Sequence, residues 1–408
     1  MRKMKDSGIE WIGKIPENWN IKQIKTIAKI YNGKEIEEEL DCNDPNSIRV
    51  FGSGGVFKYT NKPLYKGEAV LFGRKGTIGK PMIASGEFWT VDTMYYSVCN
   101  QENDNRFLYY ILTVFPWEPF TTQTALPSVV ATEIFRNSIG VPSLSEQKKI
   151  ADFLDGKRAD IDQIKADIEK QIEILTDYKK SVITEAVTKG LNPKTKLKDS
   201  GIEWIGKIPE GWDSIKAKYL FKQRNSRGNT IDLQLLSPSQ KFGVIPQSRL
   251  EELTTQKVVK LNEKVNLAEL KTIHQGDFCI SLRSFQGGFE YSEYEGVVSP
   301  AYQVFYSIVS CCNGYYRYLF KEKSFIEKMN SFTMSLRDGK NIAFEDFANS
   351  EMPVPPLPEQ KAIADYLDEK CSAIDATIAD KQRQLETLDE YKKSLIFEYV
   401  TGKKEVLA

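Results

Sequence analysis

The chain has 408 residues, 41% of them hydrophobic and 27% charged, and its 56 basic side chains balance 56 acidic ones. That length predicts two or more domains, and the composition excludes a disordered or fibrous chain. No apolar run is long enough to span a membrane, "MRKMKDSGIE" lacks a signal-peptide apolar block, and zero net charge gives no support for a dedicated non-specific nucleic-acid binder; a cytoplasmic protein is expected.

The first element is "GIEWIGKIP", Gly8 to Pro16, and the same nine letters return from Gly201 to Pro209. Lys5-Asp6-Ser7 ahead of the first copy matches Lys198-Asp199-Ser200, and Trp19 matches Trp212. Ile9, Trp11, Ile12, Ile15 and Trp19 surround a Gly13/Pro16 turn, which predicts a packing segment rather than a binding one. Between Asp41 and Gln101 the runs "SIRVFG", "EAVLFG", "KPMIAS" and "FWTVDTMYYSV" are β-branched or aromatic and broken by turn residues, as in a largely antiparallel sheet.

Within this block "GRKGTIGKP", Gly73 to Pro81, fails as a phosphate loop. No glycine lies five residues before Gly79, and Pro81 stands where Ser or Thr is needed. It still places Arg74, Lys75 and Thr77 on a strand-end turn that suits a phosphate backbone or a guanine edge. A short helix is expected at "RFLYYILTVF". After it, "FTTQTALPSVV", Phe120 to Val130, is unusually polar and offers Thr122 and Gln123.

A second repeat starts at Val141 with "VPSLSEQKKIADFLD" and again at Val354 with "VPPLPEQKAIADYLDEK". Ser145 or Pro358, then Glu-Gln, mark a helix start. Leu154, Ile161, Ile168, Leu175 and Val182 keep a seven-residue beat, with Ile150, Ile164 and Tyr178 beside it. In the second copy Leu367, Ile374, Leu388 and Leu395 do the same, broken by Lys381, with Cys371, Ile378 and Leu385 alongside. Gly190 and Gly402 stop the two stretches. Two long helices paired as an antiparallel coiled coil are expected.

The second block, longer by 20 residues, shows strand-like "KVVKL", "DFCISL" and "AYQVFYSIV", loops at "RNSRGN" and "SFQGGF", and helix at "GYYRYLFKEKSFIEKM". Arg283, Ser284 and Gln286 lie on one such loop. "SFTMSLRDGKNIAFEDF", at the place of the polar segment of the first block, carries Arg337 and Lys340. Arg pairs with guanine, Gln and Asn with adenine, so different letters at matching places suit two readers of different sequences.

The fold expected is therefore α+β: two α+β domains separated by two long helices, as a pseudo-two-fold internal repeat. The boundaries read as 1–142, 143–190, 191–355 and 356–408. No catalytic set is evident. Six cysteines show no CxxC spacing, and the single histidine, His274, reads as structural. There is no nucleophile elbow, no Asn-Pro-Pro-aromatic element and no nuclease-like carboxylate cluster.

Together the doubled "GIEWIGKIPE.W" opening, the two Glu-Gln helix starts, "GSGGVFKYT…FGRKGTIGKP…FWTVDTMYYSV" and "GDFCISLRSFQGG…GVVSPAYQVF" resemble the specificity subunit of type I restriction-modification systems over essentially the whole chain. The resemblance implies two target-recognition domains, each reading half of a bipartite site in double-stranded DNA, with the helices setting the spacer. It implies two methyltransferase subunits and two restriction/translocase subunits as partners, no membrane, and no catalysis by this chain. S-adenosylmethionine, ATP and Mg would belong to the partners, with no cofactor bound here. Arg74, Lys75, Thr77, Thr122 and Gln123 would face DNA in the first domain, and Arg283, Ser284, Gln286, Arg337 and Lys340 in the second. The competing expectation is a non-enzymatic coiled-coil adaptor that binds proteins through two β-rich modules.

Overall fold

A computed structural model describes residues 2–227, 234–254, 269–281, 288–332 and 342–406. The chain forms two compact units, Met1–Glu169 with Lys381–Ala408, and Lys170–Asp380. Each unit therefore holds the start of one long helix and the end of the other.

In the first unit two four-stranded sheets form. One runs Ala28–Asn32, Met94–Cys99, Ala69–Gly73, Met82–Ala84, antiparallel throughout. The other runs Gly55–Thr60, Ile48–Gly52, Glu87–Thr90, Tyr65–Lys66, and its Ile48–Gly52/Glu87–Thr90 pair is parallel. "FWTVDTMYYSV" thus bends at residues 91–93 and serves both sheets. Strand Ala28–Asn32 lies before the expected start of the β-rich block; its outward residues are polar and hide the alternation. The helix Asn105–Val114 forms where "RFLYYILTVF" predicts it, capped by the Asp104 side chain, which accepts from the Arg106 and Phe107 amides. It buries Phe107, Leu108, Ile111 and Leu112 under the first sheet.

The second unit repeats the antiparallel sheet as Phe221–Arg224, Gln303–Ser307, Phe278–Ile280, Phe289–Tyr291. Phe221 is its pivot, with rings of Phe278, Phe305, Tyr316, Phe320 and Phe347 centred 5.1–5.9 Å away. "GYYRYLFKEKSFIEKM" gives two helices, Asn313–Leu319 and Lys323–Ser331, because Glu322 caps the second through the Phe325 amide. "KVVKL" lies outside the described residues.

The long helices are Leu144–Lys189 and Leu357–Val400, 46 and 44 residues. In the first unit Lys165 pairs with Asp389 and Lys392 with Asp162, each at 2.6 Å, and Phe153 meets Tyr399 at 4.5 Å between ring centres. Numbers that rise on one helix as they fall on the other mark antiparallel segments. Ile150, Leu154 and Ile161 share that core with Leu395, Ile396 and Val400. In the second unit Lys179 pairs with Asp375 at 2.6 Å, and Val182, Ala186 and Val187 join Ile363, Leu367 and Cys371. The expected companion stripe is only partly buried: Ile164 is 48% exposed and Tyr178 47%. A two-helix contact covers a narrow seam, too narrow for both lines of residues.

The repeated letters meet at one joint per unit. Trp19, fully buried, donates through Nε1 to Glu146 Oε1 at 3.1 Å, and Trp212 donates to Glu359 Oε2 at 3.0 Å. The neighbouring glutamines each span two elements. Gln147 donates to the Pro142 carbonyl and accepts from the Asp104 amide; Gln360 donates to the Pro355 carbonyl and accepts from the Cys312 amide. The "SEQ" and "PEQ" signatures thereby fix the opening, the start of a short helix (Asn105–Val114 or Asn313–Leu319) and the long helix to one another.

Candidate nucleic-acid interface

The turn after strand Ala69–Gly73 is built by close approach. A Cβ on Gly73 would collide with the Thr77 carbonyl oxygen, so the tight return from 73 to 77 requires glycine. Arg74 and Lys75 both donate backbone N–H to Thr93 O, at 2.8 and 3.2 Å. The Arg74 guanidinium lies 5.8 Å from the Tyr95 ring centre, and Lys75 and Thr77 are exposed.

The polar segment ends up against this turn. The Val129 amide donates to Arg74 O at 3.0 Å and the Gly76 amide to Pro127 O at 2.9 Å, with Lys75 bridged to Ser128. The loop is closed on itself as well. Thr122 N donates to Ser128 O, Ser128 N donates to Thr122 Oγ1, and their hydroxyls lie 3.0 Å apart. The result is a stapled loop presenting exposed Thr122, Gln123 and Leu126 beside Arg74 and Lys75. The structure thus brings all five residues singled out in the first block into one patch. Neither Arg74 nor Lys75 has a carboxylate partner among the described residues.

Arg283, Ser284, Gln286, Arg337 and Lys340 lie outside the described residues. Arg224 of the second unit is held by Asp277 at 2.7 and 3.1 Å and stacks 4.3 Å from the Tyr306 ring centre. His274 faces Glu295, 3.0 Å from Nδ1, and its amide donates to Asp277, a structural turn.

One feature escaped the sequence. Lys25, Lys29, Tyr31, Thr132, Phe135 and Arg136 line a cleft of about 430 Å³ in the first unit. They come from the helix Ile24–Ile27, strand Ala28–Asn32 and helix Ala131–Phe135, more than a hundred residues apart in the chain, and no local spacing announces the meeting. Among the described residues there is no cluster of potential metal ligands, and no helix is long and apolar enough to cross a membrane.

With this geometry in view, the sequence pattern of the Type I restriction modification DNA specificity domain matches residues 16–174 and 209–387, one match in each repeat. The chain belongs to that family. The specificity subunit of type I restriction enzyme MjaVIII from Methanocaldococcus jannaschii is 26% identical over 96% of this chain and 94% of its own. A putative MjaX specificity subunit of the same organism is 24% identical over 97% and 96%. A solved chain, from work on complex assembly and conformational transition of the type I R-M system, shares the fold with a TM-score of 0.66 at 13% identity, covering 96% of this chain and 99% of that one. The family assignment accounts for the doubled layout: a DNA specificity subunit built as two copies of one domain plan.

Proposed function

We propose that the chain is the non-catalytic recognition subunit of a type I restriction-modification complex, each block reading one half of a bipartite site in double-stranded DNA. The observation that carries this reading is the stapled patch. Two segments some fifty residues apart are zipped together so that unpaired Arg74 and Lys75 stand beside Thr122 and Gln123, groups able to contact phosphates and base edges. On this reading Arg283, Ser284, Gln286, Arg337 and Lys340 serve the second half-site. The paired helices fix the spacer and dock two methyltransferase subunits, while two restriction/translocase subunits complete the assembly. S-adenosylmethionine, ATP and Mg act in those partners, in the cytoplasm.

The test is an exchange of Asp41–Val141 for the corresponding block of another family member, followed by genome-wide mapping of methylated adenines. One half of the methylated sequence should change and the other should persist. A change in both halves, or in neither, would refute the assignment of one block to one half-site.

A further inference from the structure

The cleft between Lys25 and Arg136 has the chemistry of an anion seat. Lys25, Lys29 and Arg136 are all exposed, and none forms an ion pair or side-chain hydrogen bond among the described residues. Other cations of the same unit are matched, Arg106 with Asp152 and Asp155, Lys165 with Asp389 and Lys392 with Asp162. No carboxylate lines the cleft, and Thr132 adds a hydroxyl donor. The site is also rigid. Its floor, Phe135, stacks on Phe72 with ring centres 6.0 Å apart, and Tyr31 stacks on Tyr96 at 5.0 Å while staying 41% exposed.

The cleft is fixed in register with the stapled patch. Phe72 lies near the end of strand Ala69–Gly73, just before the turn that carries Arg74, and helix Ala131–Phe135 begins two residues after Val129, which bonds the Arg74 carbonyl. Arg136, just past that helix, is thereby tied to the same stretch of backbone as Arg74. Contacts to phosphates hold a duplex in register while base contacts specify it.

Building on the recognition reading above, we propose that this cleft seats the phosphodiester backbone flanking the half-site read by the first unit. Its cations add affinity without sequence preference. The two lysines recur in the second unit as exposed Lys218 and Lys222, with Lys222 across from Tyr306 as Lys29 is across from Val98. There Glu345 and Asn349 hold the repeat positions of Thr132 and Arg136, so the second unit has the weaker seat.

The experiment uses the chain assembled with its methyltransferase partners. Binding is measured to duplexes with and without the methylated sequence between about 50 and 200 mM KCl. K25A/K29A/R136A should flatten the dependence of log affinity on log salt by about 0.9 per cation, about 2.7 in all. Both duplexes should lose affinity by the same factor, the methylated sequence should stay the same, and R136K should behave as the parent. An unchanged salt slope, or an altered base preference at one half-site, would overturn the proposal. Loss of the methyltransferase subunits from the triple variant at unchanged thermal stability would also overturn it, by assigning the cleft to an acidic protein surface. Should the triple variant unfold, K25Q and R136Q carry the test singly, at about 0.9 each. If the parent complex binds both duplexes equally, the recognition reading itself fails, whereas the slope difference still reports on the cleft.

Discussion

In the first unit Trp19 donates to Glu146, and in the second Trp212 donates to Glu359, with distances that differ by 0.1 Å. A short way up the sheet the two units part. Tyr31 stacks on Tyr96 in one, while in the other Arg224 occupies the corresponding strand, pinned by Asp277 over Tyr306. The joints are copies and the faces are not. A buried indole bonded to a carboxylate allows few substitutions, because removing the carboxylate leaves the indole N–H unpaired inside and removing the indole leaves a large cavity. An exposed strand face carries no such penalty and is free to diverge. The comparison teaches that the duplication preserves how each block is mounted while releasing what each block presents.

The sharpest way to break the comparison is at the joint. Trp19→Ala and Trp212→Ala should each cost about 3–5 kcal/mol in denaturant unfolding, chiefly through an internal cavity, with Glu146 keeping its ion pair to Arg2. Clearly unequal losses would show that the joints are not equivalent.

A difference between the units should appear with pH. Glu290, buried on the edge strand Phe289–Tyr291, is pushed up to about 7 by burial, although Lys321 at 2.6 Å pulls the other way, and its Oε2 has no hydrogen-bond partner. The matching strand Met82–Ala84 is wholly apolar. A raised carboxyl binds its proton more tightly folded than unfolded, so its contribution is full below the ordinary 4.5 and is lost as pH rises through about 7. Glu290→Gln should therefore stabilise the chain at pH 8 by about 2–3 kcal/mol and leave it unchanged near pH 4.5. A stability gain that is the same at both pH values would contradict this.

The smallest effect separates the two helix stops. Gly190 and Gly402 both adopt left-handed φ, +75° and +72°. A Cβ at Gly190 would meet one carboxylate oxygen of Glu359, whereas at Gly402 it would strike the rigid Pro16 ring more closely. Both alanine variants should lose about 1–2 kcal/mol for the backbone. Gly402→Ala should lose more, read as the lower midpoint in urea.

Much of this was legible in letters. The two helices, their starts and stops, the capped helix Asn105–Val114 and the packing role of the openings follow from periodicity and from residue types with local preferences. Strand Ala28–Asn32 was hidden because its apolar residues, Ala28 and Ile30, are few and are separated by Lys29. Arg74 and Gln123 could be picked separately as chemistry suited to DNA, but the bond from Val129 to Arg74 spans 55 residues and belongs to tertiary structure. The cleft was invisible for the same reason, since Lys25 and Arg136 are ordinary surface cations until folding places them together. Exposure of Ile164 and Tyr178 was misjudged because a heptad pattern gives the direction of a seam and not its width.

The division of the chain also bears on its birth at the ribosome. The second unit, Lys170–Asp380, is one uninterrupted stretch and needs nothing made after residue 380 in order to close. The first unit needs Lys381–Ala408 to supply Leu395, Ile396 and Val400 for its interior, so the part made first is finished last. A chain truncated and released after residue 380 should accordingly hold a protected carboxyl-side half and a protease-sensitive amino-side half.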